Sequence, residues 1–466
     1  MKRPNIILIS IDTLRADHLS CYGYHRETTP NIDRIAEGGV LFKNAYSTAV
    51  WTPPAHASML TGLYPSQHGV VDQNKLDKNI PTIAEVLQRN GYRTAGFVNN
   101  SQVGALVGLD RGHDDFFEVW RGISAKDVLG RVVRKVTKLR GVSDNGAEKT
   151  NQLVLKWLQK NRSDFQPFYL FIHYIDVHNP LKAPYPFRFR YLTKSVRKNV
   201  DMKKIWKVAH NPLICFTDQI ELTTEEIEAL ICLYDEEIAY LDHKIGELLD
   251  HLREWKLLDN TLLIITADHG EHFGEHNLYS HVASLYEPVI HIPFIVRYPD
   301  IIESGIKIEK IVQLVDIFPT ILSVAHINYT VDNGMIGRDL LSVRNSEKYH
   351  EYIIAEWEGR IPYFVKKRMQ KSKQPINIAI FEHKQMMIRK NNYKYILTSE
   401  GKEELYNLSS DASEVNNIIN KERKFADFLK IILDKWYTSL REAKHEENPN
   451  EIDEDIKKNL EALGYM

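Results

Sequence analysis

Short apolar runs that alternate with helix-like stretches limit most strongly how this chain can fold. The runs are rich in β-branched and aromatic residues, and they cover residues 6–10, 94–98, 168–174, 262–266 and 293–296. Strands that alternate with helices are typical of a mostly parallel sheet covered on both faces. The pattern therefore predicts an α/β fold with a central sheet between two layers of helices.

Helix start and stop signals agree with this fold class. Thr29-Pro30 precedes a periodic segment that ends at Gly38, and Thr82 with Glu85 forms a capping box. The longest helix is predicted over residues 223–254, where apolar residues recur at spacings of three and four. That spacing predicts that one face of the helix is buried.

The pattern changes after about residue 345, where apolar residues alternate with period two in residues 352–357, 384–389 and 393–397. This predicts a small antiparallel sheet, followed by a helix over residues 425–441. We expect two units, residues 1–345 and residues 346–466, with the second packed directly on the first because no low-complexity linker separates them.

Composition excludes several classes of partner. The 466 residues carry 60 Lys and Arg against 62 Asp and Glu, so no overall basic field attracts nucleic acid, which is not expected as a partner.

The first apolar stretch is too short for a signal sequence or a transmembrane segment. Three cysteines do not form a disulfide framework. We expect a cytoplasmic protein, and its oligomeric state is left open.

Polar residues that follow predicted strands are the first candidates for chemistry. Asp12 follows the first strand and Asp268-His269 follows another, at the sheet edge where doubly wound folds bind ligands. Two carboxylates and an imidazole there suit Zn, Mn, Ca or Mg. The alternative is that each Asp only caps the turn that follows its strand.

Thr52 is the candidate nucleophile. The segment from Thr52 to Gly62 is predicted to be a short helix with Thr52 at the N-cap and Pro53 at the first position. A hydroxyl at a helix N-terminus lies where an anion is favoured, and a metal could activate it. His56 lies one turn later and could hold a substrate oxygen or the proton of the nucleophile. The alternative is an ordinary capping threonine and a surface histidine.

Histidines are concentrated after Asp268 and at the end of the strand over residues 168–174. The candidates for a second metal site or for binding the substrate anion are Asp176, His178 and His281. We assign function first to His178 and His281. Four other histidines are assigned structural roles by default, namely His173, His272, His276 and His291.

Several ordered sequence blocks together resemble a known family. They are NIILISIDTLRADHLSCYG (5–23), TTPNIDRIA (28–36), PPAHASMLTGLYP (53–65), ADHGEHFGEH (267–276) and ELYNLSSD (404–411). These blocks are similar to those of the sulfatase family within the alkaline-phosphatase superfamily, and the match covers nearly the whole chain. The resemblance implies an alkaline-phosphatase-like sandwich with a sulfatase-like catalytic unit over residues 1–345.

The resemblance also implies roles for individual residues. Asp12, Asp268 and His269 would bind one or two divalent metal ions together with position 52, which supplies the nucleophile. His178 and His281 would face the substrate anion. The substrate would then be a small molecule or a glycan that carries an anionic ester.

The chain departs from the family pattern around the nucleophile. Relatives that cleave sulfate esters carry a Cys or Ser that is oxidised to formylglycine within a Cys-x-Pro-x-Arg pattern, whereas this chain has Thr52 and replaces the arginine with His56. Thr13 stands where many relatives have a second acidic ligand. Threonine cannot yield the aldehyde, so the site looks more like the phosphodiesterase and phosphotransferase branches of the superfamily.

Three functional hypotheses follow. The first is a metal-dependent hydrolase of sulfate or phosphate esters that acts through a covalent Thr52 intermediate, with phosphoester chemistry favoured by the threonine. The second is a phosphotransferase that passes the group to an alcohol. The third is an inactive module that binds anions, against which the intact set of Asp12, Thr52, Asp268 and His269 argues.

Two basic stretches remain. Residues 182–207 contain nine Lys or Arg interleaved with aromatic residues, which would suit a lid over an anionic substrate, a site for single-stranded nucleic acid or an ordinary surface insertion. Residues 126–140 have helical spacing of apolar residues and are predicted to form an amphipathic surface helix.

Overall fold

The computed structural model describes residues 3–71, 74–123, 144–162, 166–329, 336–341, 349–370, 376, 378–440 and 453–463. The strands within this part of the chain are β1 (Asn5–Ile11), β2 (Val40–Tyr46), β3 (Arg93–Val98), β4 (Asp115–Glu118), β5 (Phe168–Tyr174), β6 (Thr261–Ala267), β7 (His272–Phe273), β8 (Tyr279–Ser280), β9 (His291–Ile292), β10 (Phe294–Arg297), β11 (Ile306–Gln313), β12 (Ile353–Trp357), β13 (Gln385–Lys390), β14 (Tyr393–Thr398) and β15 (Glu403–Asn407).

The α-helices of the same residues range from single turns to a helix of 31 residues. They are α1 (Pro30–Glu37), α2 (Thr52–Thr61), α3 (Pro65–His68), α4 (Ile83–Arg89), α5 (Ala147–Asn161), α6 (Lys194–Arg197), α7 (Met202–His210), α8 (Ile214–Thr217), α9 (Thr224–Glu254), α10 (Glu287–Ile290), α11 (Ile317–Val324), α12 (Tyr363–Met369), α13 (Ala379–Glu382), α14 (Arg423–Ser439) and α15 (Glu454–Ala462).

The central sheet has nine strands, eight of them in the order β11-β2-β10-β6-β1-β5-β3-β4, with β9 paired to β2. The pairs from β6 through β1, β5 and β3 to β4 are parallel, and so is the pair of β11 with β2. Strand β10 is antiparallel to both of its neighbours. The predicted mostly parallel α/β sheet is thereby confirmed.

The register of three adjacent strands positions the polar residues that follow them. Ile11 at the end of β1 lies opposite Tyr174 of β5 on one side and Ala267 of β6 on the other. Because parallel strands end at the same edge of a sheet, Asp12 and Asp268 leave the sheet at the same level. These three strands are buried along almost their whole length, so the edge that they form is also shielded from solvent.

Helix α9 confirms the long helix predicted from the apolar spacing, with Thr223 and Glu226 forming its capping box. Its central part, however, is buried on every side, including Glu236 and Glu237, rather than on one face. The backbone N–H groups of Tyr191 and Leu192 donate to Glu236. The basic stretch 182–207 therefore covers the face that the spacing assigned to solvent.

Helix α2 differs from its prediction by one residue, because Trp51 is the N-cap and Thr52 is the first helical residue. All ten residues of the helix are buried, and Gly62 ends it with a φ of 72°. A helix buried on all faces has no amphipathic signal, which is why the sequence allowed His56 to be read as a surface residue. The structure places His56 in the interior.

The predicted small antiparallel sheet is also confirmed, with the order β12-β13-β14-β15. The fourth strand, β15, was not predicted as a strand. Helix α14 packs against this sheet through Leu429 and Leu433. The last helix, α15, instead packs in the core of the first unit through Ile456 and Leu460, so the division at residue 345 stays a prediction.

The two basic stretches have different outcomes. Residues 126–140 lie outside the described residues. In residues 182–207, the Arg188 guanidinium lies 5.0 Å from the centre of the Phe189 ring and 5.4 Å from that of Trp206, and Arg197 lies 4.7 Å from Phe189. These contacts favour a packed surface segment. Within the described residues, no helix combines the length and the apolar character that crossing a membrane requires.

A buried ion cluster joins the two units and predicts a stability effect. Lys394 of β14 is fully buried, and its Nζ lies 3.0 Å from Oε1 of Glu287 and 2.8 Å from Oε1 of Glu414. Lys394→Met leaves both carboxylates without their cation, so we expect a loss of about 3–5 kcal/mol in the free energy of unfolding. Urea denaturation measures this loss.

Lys384→Met is the matched control, because this exposed lysine just before β13 pairs with the partly exposed Glu358. We expect this control to change the free energy of unfolding by about 1 kcal/mol or less. Equal effects of the two substitutions would contradict a role for Lys394 in holding the units together.

Candidate functional site

Asp12, Asp268 and His269 form a compact cluster at the edge formed by β1 and β6. One ligand atom from each residue lies within 4.8 Å of the others, and all three side chains are buried. His269 Nε2 is 3.2 Å from Asp268 Oδ2 and 3.9 Å from Asp12 Oδ1. The structure thus brings together the three residues that the sequence placed at separate strand ends.

The hydrogen bonds around this cluster leave two carboxylate oxygens and one imidazole nitrogen available to bind a metal ion. Asp12 Oδ1 and Asp268 Oδ2 are buried and have no hydrogen-bond partner among the described residues. His269 Nδ1 lies 3.0 Å from the Gly270 carbonyl oxygen, to which it donates when Nε2 is the unprotonated nitrogen. Two orphaned carboxylate oxygens and one imidazole nitrogen are a donor set that fits a divalent cation.

The pKa shifts of the cluster residues favour binding of a cation. Burial raises the pKa of Asp268 well above its usual value, and the charge of Asp12 raises it further. Burial lowers the pKa of His269 to about 3, with a further contribution from His281, so the ring is neutral at pH 7. The contact with His173 lowers the pKa of Asp12 despite its burial, so one carboxylate of the pair is readily ionised, and a bound cation would favour ionisation of both.

The second carboxylate oxygen of Asp12 contacts two residues that the sequence did not assign to the site. Asn100, which follows β3, donates its Nδ2 to Asp12 Oδ2 at 3.2 Å, and His173 Nε2 lies 3.5 Å from the same oxygen. His173 was given a structural role by default. Asn100 follows the predicted strand over residues 94–98, so its place at a strand end is the signal that could have identified it.

Thr13 adopts an unusual backbone conformation beside the cluster. Its φ is 58°, which is strained for a β-branched residue. Its N–H donates to Asp268 Oδ1 at 3.3 Å, and its carbonyl accepts from the Tyr234 hydroxyl at 2.7 Å. Thr13 Oγ1 is buried without a hydrogen-bond partner among the described residues. The strained turn fixes the orientation of the Asp268 carboxylate.

Thr52 lies directly against the cluster. Its Oγ1 is 3.4 Å from His269 Nε2, and its side chain is fully buried. As the first residue of α2 it lies at the positive end of a helix dipole. The hydroxyl is therefore placed both beside the candidate metal ligands and where an anion is favoured.

His56 has a different place from the one predicted. Its Nδ1 lies 2.9 Å from the Thr52 carbonyl oxygen and 3.5 Å from Asp268 Oδ2, and its Nε2 lies 3.0 Å from Ser10 Oγ. Burial lowers the pKa of His56 to about 3, and His173 lowers it further. Both ring nitrogens thus contact protein atoms, an arrangement suited to positioning Thr52, and the predicted role of His56 toward the substrate stays a prediction.

His178 and His281 form a pair on the other side of the cluster. Their ring centroids are 5.2 Å apart, and the His281 ring is 4.6 Å from that of His269. His178 Nδ1 lies 2.8 Å from the Asn179 carbonyl oxygen, and His281 Nδ1 lies 3.2 Å from Glu271 Oε2. Glu271 is a further residue that the sequence did not assign. The pair thus lies next to His269 of the cluster, and its predicted role toward a substrate anion stays a prediction.

Asp176 is separate from this group. Its Oδ1 accepts from the N–H of Ala147 at 3.2 Å, at the start of α5. Burial raises the pKa of Asp176 well above its usual value, and Asp144 raises it further. The metal-ligand cluster of the described residues does not include it. Its contacts are those of a buried residue that caps a helix.

The remaining histidines make local structural contacts. His272 Nε2 lies 2.6 Å from Ser284 Oγ, and the His276 ring stacks on that of Tyr286 with centroids 3.7 Å apart. His291 Nε2 lies 2.8 Å from the Lys43 carbonyl oxygen. These contacts agree with the structural roles assigned to the three histidines by default.

Comparison with known proteins first defines the class. The structure matches the crystal structure of a phosphonate monoester hydrolase of Agrobacterium radiobacter with a TM-score of 0.73 at 21% identity, covering 94% of this chain and 95% of that one. The fold is therefore an alkaline-phosphatase-like sandwich, with the candidate metal cluster at the end of its central sheet.

Family models then identify the particular group. Residues 4–327 match the sulfatase model, and residues 274–442 match the C-terminal model of N-sulphoglucosamine sulphohydrolase. The chain belongs to the sulfatase family, and it is an ester hydrolase of that family. It is 26% identical to an arylsulfatase of Clostridium perfringens, over 93% of this chain and 94% of the relative. It is 25% identical to a sulfatase of Formosa agariphila, over 93% and 87%.

The cluster predicts a coupled loss of metal and activity. Asp268→Ala removes one of the two orphaned carboxylate oxygens, so we expect the purified protein to lose its bound divalent metal together with nearly all ester hydrolysis. Elemental analysis by mass spectrometry and a chromogenic ester assay measure the two quantities. Asp259→Ala, at an exposed aspartate before β6, is the control. Retention of stoichiometric metal by Asp268→Ala would contradict the assignment.

The position of His56 predicts a kinetic effect without a change in metal content. His56→Ala removes the contact with the Thr52 carbonyl, and a shift of about 1 Å in a reacting group costs about 100-fold in kcat. We expect KM to change little, because the ring does not contact substrate. Steady-state kinetics and metal analysis measure both effects.

Ser10→Ala removes the contact with the other ring nitrogen, Nε2, and should lower kcat by a smaller factor. His243→Ala, at a half-exposed histidine of α9, serves as the control. If His56→Ala raised KM and left kcat unchanged, the ring would bind substrate, and the positioning role would be wrong.

Proposed function

We propose that this chain hydrolyses phosphate-type esters through a covalent intermediate on Thr52, with phosphoester chemistry favoured over sulfoester chemistry. The observation that carries the proposal is the position of Thr52, with its Oγ1 3.4 Å from His269 Nε2 at the N-terminus of a buried helix. Membership of the sulfatase family supports ester hydrolysis in general, and the Thr52 hydroxyl is the basis for proposing a covalent intermediate.

The chemistry of threonine supports the preference for phosphorus. Relatives that cleave sulfate esters use formylglycine, an aldehyde made from Cys or Ser. Threonine carries a methyl group on Cβ, so it cannot be converted to that aldehyde. An alcohol nucleophile on a hindered carbon is compatible with attack on phosphorus, where a covalent phosphothreonine can then be hydrolysed. The phosphonate monoester hydrolase that shares the fold is compatible with this preference.

A divalent ion bound by Asp12, Asp268 and His269 would lower the pKa of the nearby hydroxyl and would neutralise the substrate anion. Protein residues would orient the nucleophile and bind the substrate oxygens. The start of α2 and the contact between His56 and the Thr52 carbonyl orient Oγ1 toward the ester. His178 and His281, on the opposite side of the cluster, contact the oxygens of the transferred group and of the leaving group.

In the proposed reaction, Thr52 Oγ1 forms a bond to phosphorus while the bond from phosphorus to the ester oxygen breaks. The leaving alcohol takes up a proton. A water molecule then attacks the phosphothreonine, which releases phosphate or phosphonate and restores the Thr52 hydroxyl. His178 is suited to accept a proton in this sequence, because its Nδ1 donates to the Asn179 carbonyl when Nε2 is the unprotonated nitrogen.

The substrate is proposed to be a small anionic ester or an esterified glycan. One relative is named an arylsulfatase, and the candidate site is recessed at the edge of the sheet; both support this class of substrate. A cytoplasmic location remains part of the proposal.

Substitution of Thr52 tests the covalent route. Thr52→Ala should lower kcat/KM by about 1000-fold or more, because a route through that oxygen cannot proceed without it. Thr52→Ser keeps the hydroxyl and should retain substantial activity. Kinetics with chromogenic phosphate monoesters, phosphate diesters, phosphonates and sulfates measure the effect and the preference for phosphorus.

Thr61→Ala is the matched control, since that buried threonine lies at the other end of the same helix. Rapid quenching and mass spectrometry should find the covalent group on Thr52 itself. Assays with an added alcohol separate hydrolysis from transfer to that acceptor. If Thr52→Ala binds metal and turns over at the wild-type rate, the nucleophile is not Thr52.

A further inference from the structure

A cleft beside the candidate active site is bordered by two short helices, α7 and α12. The wall of the cleft includes His178 and His281 from the site. It continues to residues 211–213, which directly follow the end of α7 at His210, and to Tyr363, the first residue of α12. Helix α8, which follows residues 211–213, packs against both α7 and α12. The two helices therefore belong to one surface next to the cleft.

Both helices expose lysines. Lys203 and Lys207 are four residues apart and lie on the face of α7 opposite its buried residues, and Lys366 and Lys367 are exposed on α12. In the part of the chain that the structure describes, none of the four lysines pairs with a carboxylate. Asp201, at the start of α7, accepts from backbone N–H groups as the N-cap. Lysines without counter-charges attract an anionic partner.

The two pairs of lysines meet around one carboxylate, that of Asp218. The Arg368 guanidinium of α12 donates to both Asp218 carboxylate oxygens, at 2.9 and 2.6 Å. These hydrogen bonds lower the pKa of Asp218, and the charge of Lys207 lowers it further, so Lys207 of α7 also lies near this carboxylate. Because Arg368 already neutralises Asp218, the lysines leave the surface with a net positive charge.

The same surface exposes large apolar side chains. Tyr363 is 41% exposed and Met369 is 37% exposed, at the two ends of α12. The Lys367 ammonium lies 5.8 Å from the centre of the Tyr363 ring, so cationic and apolar groups are adjacent. Apolar side chains among lysines are typical of proteins that bind a bilayer surface, where the apolar groups enter the headgroup region. We call the exposed side of α7 and α12 the basic face.

Single-stranded nucleic acid is the other partner that the basic stretch 182–207 suggested. Proteins bind it with exposed rings on which bases stack. The Phe189 and Trp206 rings instead contact the Arg188 guanidinium, at 5.0 and 5.4 Å from their centres, and Arg197 lies 4.7 Å from that of Phe189. A polyanion would also gain little from the exposed Met369. The contacts therefore favour a lipid surface over a nucleic acid.

We propose that the basic face binds the surface of a membrane that contains anionic lipids. The four lysines contact lipid phosphates, while Tyr363 and Met369 enter the headgroup region. Such binding is reversible and weakens with salt, because it depends on a few charges and two partly exposed apolar side chains. A protein bound in this way holds the cleft next to the lipid headgroups. The inference does not depend on the proposed ester hydrolysis.

Vesicle flotation with the purified full-length protein tests the inference without turnover. Vesicles of phosphatidylcholine alone are compared with vesicles of equal parts phosphatidylcholine and phosphatidylglycerol. We expect about tenfold tighter binding to the anionic vesicles. This difference should disappear at high salt, because the Debye length falls to about 3 Å at 1 M. Polyuridylate RNA is the competing polyanion.

Two double variants assign the binding to the basic face. Lys203→Gln/Lys207→Gln and Lys366→Gln/Lys367→Gln each remove two positive charges and should each weaken binding to anionic vesicles about tenfold. Both leave the candidate catalytic residues unchanged, and circular dichroism verifies that the variants are folded.

Lys156→Gln/Lys160→Gln is the matched control. These lysines are also exposed and four residues apart, but they lie near the end of α5, which leads to the start of β5 at the opposite edge of the sheet from the cleft. We expect this control to bind anionic vesicles nearly as tightly as the unmodified protein.

Met369→Gln tests the apolar contribution at constant charge. The substitution keeps the length of the side chain but removes its apolar end, so binding to anionic vesicles should weaken about threefold. Binding to polyuridylate should not respond, because a polyanion has no apolar interior for this side chain to enter.

The outcomes decide the inference. Equal binding to neutral and anionic vesicles overturns it, as do equal effects of the control and of the two double variants on vesicle binding, or unchanged vesicle binding by Met369→Gln. Tighter binding of polyuridylate than of anionic vesicles would assign the basic face to nucleic acid and would also overturn it. Weaker vesicle binding by both double variants and by Met369→Gln supports it, whether or not the protein hydrolyses esters.

Discussion

The repulsion between two buried carboxylates is the constraint on which the rest of this site depends. The parallel register of β1 and β6 places Asp12 and Asp268 at the same level, and the surrounding core removes the water that would screen them. The neighbouring histidines are neutral, since burial lowers the pKa of His56 and His269 to about 3. A cation between the two carboxylates would allow both to be ionised. The same fold that buries the cluster therefore favours cation binding there, which supports the proposed divalent metal.

The buried helix α2 places Thr52, the candidate nucleophile, next to this cluster. Because all of its residues are enclosed, Thr52 and His56 are held by packing as well as by hydrogen bonds. A neutral His56 where many relatives have an arginine changes the charge around the nucleophile. It contributes two directional contacts, to Ser10 and to the Thr52 carbonyl, and no positive charge. The orientation of Thr52 is thus maintained without a permanent cation next to its hydroxyl.

The sequence predicted the elements whose signals are local and missed those that depend on distant packing. Apolar runs and a capping box located the sheet and the long helix α9, and strand ends located Asp12 and Asp268. Asn100 was missed although it follows a predicted strand, because an amide indicates a metal site less strongly than a carboxylate. The sequence left open whether His56 lies at the surface, because a fully buried helix has no amphipathic pattern. Asp176 had the right spacing for the site, yet its side chain accepts from the start of α5 instead.

The candidate catalytic cluster and the wall of the cleft beside it, where Trp357, Arg360 and Tyr363 lie, come from different parts of the fold. The metal cluster and Thr52 belong to the large sheet and its buried helix, where small shifts are costly because the strands are enclosed on both faces. Trp357, Arg360 and Tyr363 belong to the second unit, at the end of β12 and in the segment that follows it. Residues in such a segment can change with little effect on the core. The buried contact of Lys394 with Glu287 fixes the second sheet against the first unit, so the wall of the cleft keeps its distance from Thr52. The fold thus separates an enclosed cluster that small shifts would disturb from a neighbouring wall whose side chains can change independently.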